Sequence, residues 1–271
     1  MKKILFIALL LLSLMVCVTS PAWAGGWDDV EAATDAAAGG DFDKAFRLFT
    51  KAIESGELSS EQLSAAYKLR GLAWASKGDL DRAIADYTKA IELKPKDAGA
   101  YEYRGLAWHN KRNYDKAIAD YTKAIAIDPK YATAYHDRGL AWGNKRDYDK
   151  AIADCTRAIE IEPKFIDAYI NRGNAWGKKG DYDKAIADFT RAIEIEPKHA
   201  GAYNNRGNAW RKKGDYDKAI ADFTRAIEIE PKHANAYQFR GYCWKFIGND
   251  DKANADYEKA KKLDPSIRCC H

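Results

Sequence analysis

What this sequence lacks narrows its function before any pattern in it is read. It contains no Gly-rich phosphate loop, no H-E-x-x-H, no G-x-S-x-G and no cysteine pairs at zinc-site spacing. The short motifs that mark nucleotide chemistry, metalloproteases, serine hydrolases and zinc modules are therefore missing. There is no charge excess of one sign: 44 Lys and Arg stand against 40 Asp and Glu, and the two signs alternate rather than segregate. Such alternation is the solvated outside of a helical protein, not the basic face that nucleic acid calls for. The uncharged apolar run from Ile4 to Val18 is 15 residues long, short of the roughly 20 that a bilayer requires.

That run reads instead as an export signal. Lys2 and Lys3 give it a basic start, and Ala22-Trp23-Ala24 supplies the small residues of a cleavage site, so residues 1–24 are expected to be a signal peptide cut near Ala24. Val16 stands where a lipoprotein site wants a small residue before Cys17, so lipidation is not expected. The mature chain is expected to have no membrane span and to be exported, periplasmic or secreted. Removing Lys2 and Lys3 leaves 42 basic against 40 acidic residues, so net charge selects no class of partner.

What is present is repetition. Residues 178–200, KKGDYDKAIADFTRAIEIEPKHA, return letter for letter at 212–234, and Gly71, Gly105, Gly139, Gly173, Gly207 and Gly241 mark the same 34-residue step. In the unit Ile166 to His199, Tyr169, Gly173 and Trp176 recur about one helical turn apart. Tyr182, Ala185, Ile186, Phe189, Ala192 and Ile193 do the same in its second half, so both halves are expected to be amphipathic helices. Gly180 suits a left-handed close of the first helix, and Asp181 or Asp183 can cap the second. Pro197 ends it by pushing its predecessor out of the helical region. Gly173 and Ala185 are small where the two helices cross, with Trp176 and Phe189 filling the space around them. A two-helix unit cannot bury its apolar faces alone, so identical segments recur because identical interfaces recur.

Tyr169, Gly173, Ala175, Trp176, Tyr182, Ala185, Phe189, Ala192 and Pro197 sit at the signature positions of the tetratricopeptide repeat family, which this chain resembles closely. Equivalent residues run from Ser64 to Ile267, giving six regular 34-residue repeats over 64–267. A divergent first repeat is expected over 25–63, because Ala45 lies 38 residues before Ala83 and so implies an insertion near SGELSS. There Ser59 and Gln62 fit a capping box. Residues 268–271 form a short tail. The resemblance implies an all-α fold, a right-handed α-solenoid of stacked helix-turn-helix repeats, whose first helices line a groove that holds peptides or helices of partner proteins.

Some positions depart from the pattern. Asn254 and Lys261 replace Ile186 and Ile193 in the last unit, as expected of a polar end cap. Arg112 and Arg146 stand where other units have glycine, which costs roughly 1 kcal/mol each if those sites are left-handed. Arg70, Arg104, Arg138, Arg172, Arg206 and Arg240 share one repeat position, and Asp86, Asp120, Asp154, Asp188, Asp222 and Asp256 share another. They could form a comb for an anionic ligand. The preferred reading pairs each arginine with an aspartate across packed helices, since charges near a core survive poorly unpaired.

No catalytic centre is expected, nor any cofactor. His199 and His233 follow Pro-Lys at repeat junctions and read as solvated loop residues. His109 and His136, on adjacent first helices, read as an exposed pair rather than a metal site. Cys155 takes the place of an aromatic and reads as an inert core residue, and Cys243 stands where other units carry alanine. Cys269-Cys270-His271 could form an intermolecular disulfide, bridge to Cys243 or bind a soft metal.

On the family mapping the groove candidates are Asn171, Asn174, Asn205, Asn208, Arg211, His136, Gln238 and Lys245, with Lys68, Glu102 and Tyr242 beside them. An asparagine amide both donates to and accepts from a peptide backbone, although asparagine is equally a compatible exposed helix residue. Family members use asparagine ladders or a Lys, Asn and Arg clamp for a terminal carboxylate, and the clamp is matched here only in part. The expected function is a non-catalytic scaffold for proteins or peptides, without nucleic acid. The alternative is a small-ligand or metal carrier using groove histidines or the Cys-Cys-His tail.

Overall fold

The computed structural model describes residues 24–267. Residues 1–23 of the expected signal peptide, with Cys17, and the Cys269-Cys270-His271 tail lie outside the described residues. Fourteen helices and no strands are found among those described. They are α1 (Ala24–Ala38), α2 (Phe42–Glu54), α3 (Ser60–Lys77), α4 (Leu80–Leu93), α5 (Ala98–Asn110), α6 (Tyr114–Ile127) and α7 (Ala132–Asn144). Then follow α8 (Tyr148–Ile161), α9 (Ile166–Lys179), α10 (Tyr182–Ile195), α11 (Ala200–Lys213), α12 (Tyr216–Ile229), α13 (Ala234–Phe246) and α14 (Asp250–Leu263).

The chain divides into two compact units between Ala141 and Trp142. In the first, helices α1 to α6 pack in succession, and α1 also touches α3 while α3 touches α5. In the second, helices α8 to α14 pack in the same succession, with α9 on α11 and α11 on α13. First helices therefore adjoin first helices within each unit, the helical-hairpin stacking of an all-α solenoid.

Local chemistry fixes the ends of the hairpins. Asp41, Asp79, Asn113, Asp147, Asp181, Asp215 and Asn249 each accept the backbone N–H three residues on and so cap a second helix, worth about 1 kcal/mol apiece. In the repeat Ile166 to His199 the cap is therefore Asp181, not Asp183. Ser59 and Gln62 close the reciprocal capping box of α3. The turns between paired helices pass through a left-handed residue, glycine at Gly78 (φ 92°), Gly180 (φ 86°) and Gly214 (φ 89°) but arginine at Arg112 (φ 60°) and Arg146 (φ 63°).

The core is made of small residues and aromatics in alternation. A Cβ on Gly173 would stand 2.8 Å from Phe189 Cε1, and one on Gly105 would stand 2.7 Å from Tyr121 Cε1. Glycine is thus required at both positions for the ring of the paired helix to seat. Ala185, Ile186 and Phe189 are buried with Trp176 packed against them. On α14, Asn254 and Lys261 are exposed, as the end-cap reading expects.

Candidate functional site

Five arginines share one bonding pattern. Arg70, Arg104, Arg172, Arg206 and Arg240 each donate through Nε and Nη2 to the two oxygens of Asp86, Asp120, Asp188, Asp222 and Asp256, at 2.7–2.9 Å. Their Nη1 groups reach a threonine hydroxyl on the second helix of the preceding repeat, as Arg172 does to Thr156 at 3.1 Å. Arg138 donates likewise to Thr122. The partners on both sides are protein, so these arginines tie three helices together and are not a ligand comb.

The faces of the first helices separate into rows. Stepping by 34 residues, Lys68, Glu102, His136, Ile170, Asn204 and Gln238 form one row. Its first two members face the start of the next first helix. Lys68 Nζ pairs with Asp97 Oδ2 at 2.6 Å, and Glu102 Oε2 accepts from Tyr131 Oη at 2.6 Å. Glu102 is only 7% exposed, and burial first, then Asp137, pushes its carboxyl up to about 7 against the opposing pull of Tyr131. One turn further on, Leu106 (41% exposed) and Tyr242 (37%) are open to solvent, as is Asn174, while Leu72, Leu140 and Asn208 are half-buried.

The histidines correct the sequence reading. His136 is buried, with Nδ1 2.9 Å from Asp137 Oδ1. His109 is half-buried, packs its ring 5.3 Å from Tyr114 and has its pKa lowered chiefly by burial. Neither is an exposed residue. His199 and His233 are helix caps rather than solvated loop residues: their Nδ1 atoms accept from Ala202 at 3.0 Å and Ala236 at 3.4 Å. Among the described residues no group of three or more His, Cys, Asp and Glu is placed to hold a metal ion. Cys155 and Cys243 are fully buried, and burial raises both thiols to about 12, which keeps them protonated and unreactive.

In the second unit the groove candidates fall in distinct settings. Asn174 and Lys245 are exposed, and Asn171, Asn205, Asn208, Arg211 and Gln238 are half-buried. Arg211 is held in place: Nη2 donates to Asn208 Oδ1 at 2.7 Å, and its guanidinium lies 4.9 Å from the ring of Tyr242 and 5.2 Å from that of Phe239. Beside it α13 exposes Phe246 (61%), with Ile247 (45%) following. Three residues escaped the sequence reading. Phe246 and Ile247 stand where the other regular units carry polar or charged residues, so the repeat pattern does not mark them as apolar, whereas Asn204 was within reach by stepping 34 residues from Lys68. The Asn204 amide oxygen is buried and accepts no hydrogen bond from the protein.

Models of the tetratricopeptide repeat match residues 30–98, 76–132, 132–165, 166–199, 200–233 and 234–267. The chain belongs to the tetratricopeptide repeat family. No curated protein sequence matches this tetratricopeptide repeat protein. Among solved structures it is similar to MamA, 31% identical over 60% of this chain and 96% of MamA, with a TM-score of 0.56. It is also similar to YrrB, a tetratricopeptide repeat protein with an unusual peptide-binding site, at 28% identity over 69% of this chain and 95% of YrrB, TM-score 0.56. A tetratricopeptide repeat protein from Parabacteroides merdae ATCC 43184 shares the fold at 22% identity, covering 88% of this chain and 93% of its own, TM-score 0.71.

Proposed function

We propose that this tetratricopeptide repeat protein is an exported, non-catalytic scaffold that binds a peptide or helical segment of a partner protein on the first-helix face of its second unit. Export rests on the basic start, apolar run and Ala-Trp-Ala site of residues 1–24. The observation that carries the binding reading is the patch formed by Tyr242, Phe246 and Ile247 beside the held guanidinium of Arg211. Exposed apolar groups that lie together rather than scattered mark a surface meant to be covered. The fixed guanidinium next to them offers N–H groups to a carboxylate or carbonyl without the entropy of ordering a free side chain. Asn174 and Asn208 then supply amides to the partner's backbone. The peptide-binding site of YrrB, 28% identical to this chain, supports the same reading.

A photo-crosslinking residue at position 246 in the native cells, followed by identification of the captured protein, finds the partner. Binding of that partner to Asn174→Ala/Asn208→Ala protein then tests the site. Loss of two hydrogen bonds weakens binding by roughly tenfold or more with helicity unchanged. Undiminished binding by this variant and by Phe246→Ser would remove the site from this face.

A further inference from the structure

Two equivalent positions in the first unit hold different chemistry. Lys68 on α3 reaches 29 residues ahead to Asp97, which caps α5, and the two make an ion pair at 2.6 Å with both side chains nearly covered. Glu102 on α5 reaches 29 residues ahead to Tyr131, just before α7, and meets a phenol at 2.6 Å. The first junction therefore closes on opposite charges. The second closes on a buried carboxyl whose hydrogen-bond donor is neutral, with Asp137 acting on it from α7.

We propose that Glu102, Tyr131 and Asp137 form a proton-operated latch between α5 and the start of α7, closed when Glu102 carries a proton and loosened when it does not. The proton comes from solvent and rests on the Glu102 carboxyl. With it, one neutral acid shares the buried space with Asp137. Without it, the charge on Glu102 is repelled by Asp137 where little water screens it, and the phenol O–H of Tyr131 stabilises the added charge. No lysine or arginine forms an ion pair with Glu102 among the described residues, and Glu102 accordingly titrates near neutrality.

The surrounding groups do not cancel this effect. Lys68 on α3 is committed to Asp97. From α4 the facing group is Tyr87, and from α6 it is Tyr121; both are buried phenols whose ionisation Glu102 further disfavours. Asp120 beside Tyr121 is already held by Arg104. On α5 itself stand Tyr103, pushed up to about 12 chiefly by burial, and His109. On α7, His136 turns Nδ1 to Asp137. Because α5 and the start of α7 carry Leu106, His109 and Tyr135, the latch sets how firmly this stretch of the first-helix face is held.

The test is residue-resolved amide exchange of the full chain from pH 5 to 8, with a carbon-13 titration of the Glu102 carboxyl. In the parent protein the carboxyl is expected to titrate near neutrality. Protection of amides in α5 and the first turn of α7 falls by tenfold or more beyond the intrinsic rise in exchange rate. Glu102→Gln keeps protection level across the range. Tyr131→Phe removes the hydrogen bond that favours the ionised form and moves the transition to higher pH. A carboxyl titrating below pH 5, or a Glu102→Gln protein with the parent's pH dependence, overturns the latch.

Discussion

Arg172 and Asp188 form a two-pronged ion pair, Nε to Oδ2 at 2.9 Å and Nη2 to Oδ1 at 2.7 Å, with the remaining Nη1 on Thr156 Oγ1 at 3.1 Å. The carboxylate is almost wholly covered and the guanidinium largely so. Removing one member leaves the other charged and out of water, so Arg172→Ala and Asp188→Ala should each lose about 3–5 kcal/mol of unfolding free energy in urea titrations. Replacing both with apolar residues of similar volume should recover most of that loss. An Arg172→Ala protein of native stability that no longer binds its partner would return the arginines to ligand recognition.

Two glycines one turn apart in α9 should respond with opposite signs. A Cβ on Gly173 would press on Phe189 at 2.8 Å and again at 3.0 Å, whereas one on Gly177 would meet only the Ala185 methyl at 4.0 Å. Gly173→Ala is expected to destabilise by roughly 1–3 kcal/mol through overpacking. Gly177→Ala is expected to stabilise by about 0.5–1 kcal/mol, since alanine costs less chain entropy in a helix. Denaturant midpoints of the two variants compared at unchanged slope decide the matter.

The helical hairpins, the caps and the Arg–Asp pairs were legible in the sequence because each depends on residues a few or 16 positions apart in a pattern that repeats. Asp181 and Gly180 show this: cap chemistry and backbone freedom are local properties. The threonine third of the arginine clamp was missed because it comes from the preceding repeat, where a hydroxyl carries no strong signal of its own. Glu102 reads in the sequence as an open groove residue for a related reason. It is covered by Tyr131 from the segment before the next first helix, a contact that packing sets and the repeat pattern does not spell out. The exposed Phe246 became visible only once α14 had packed behind α13.

Arg112 and Arg146 adopt φ of 60° and 63° in turns where other repeats place glycine, and both side chains are exposed. The left-handed backbone costs a residue with a Cβ roughly 1 kcal/mol, partly offset because glycine loses more entropy on folding. Arg112→Gly and Arg146→Gly should therefore each raise the melting temperature, by about 2 °C for about half a kcal/mol or more. A β-branched Arg146→Val change should lower it. Thermal unfolding of the three variants reads all the signs at once.

The pH dependence of stability should carry two opposed contributions from α5. Glu102 has its folded pKa raised from 4.5 to about 7, first by burial. Its contribution is fully present below about pH 4.5 and is lost as pH rises through 7. His109 has its folded pKa lowered by burial. Its contribution is present above the unfolded value and is lost as pH falls through the depressed one. Taking 1.36 kcal/mol per unit, Glu102→Gln should match the parent at pH 4.5 and exceed it by as much as ~3 kcal/mol at pH 8. His109→Gln should instead gain on the parent only on the acid side. Urea midpoints at pH 4.5, 6 and 8 separate the two, and a Glu102→Gln protein that tracks the parent throughout would mean that Glu102 ionises in the folded chain as it does in the unfolded one.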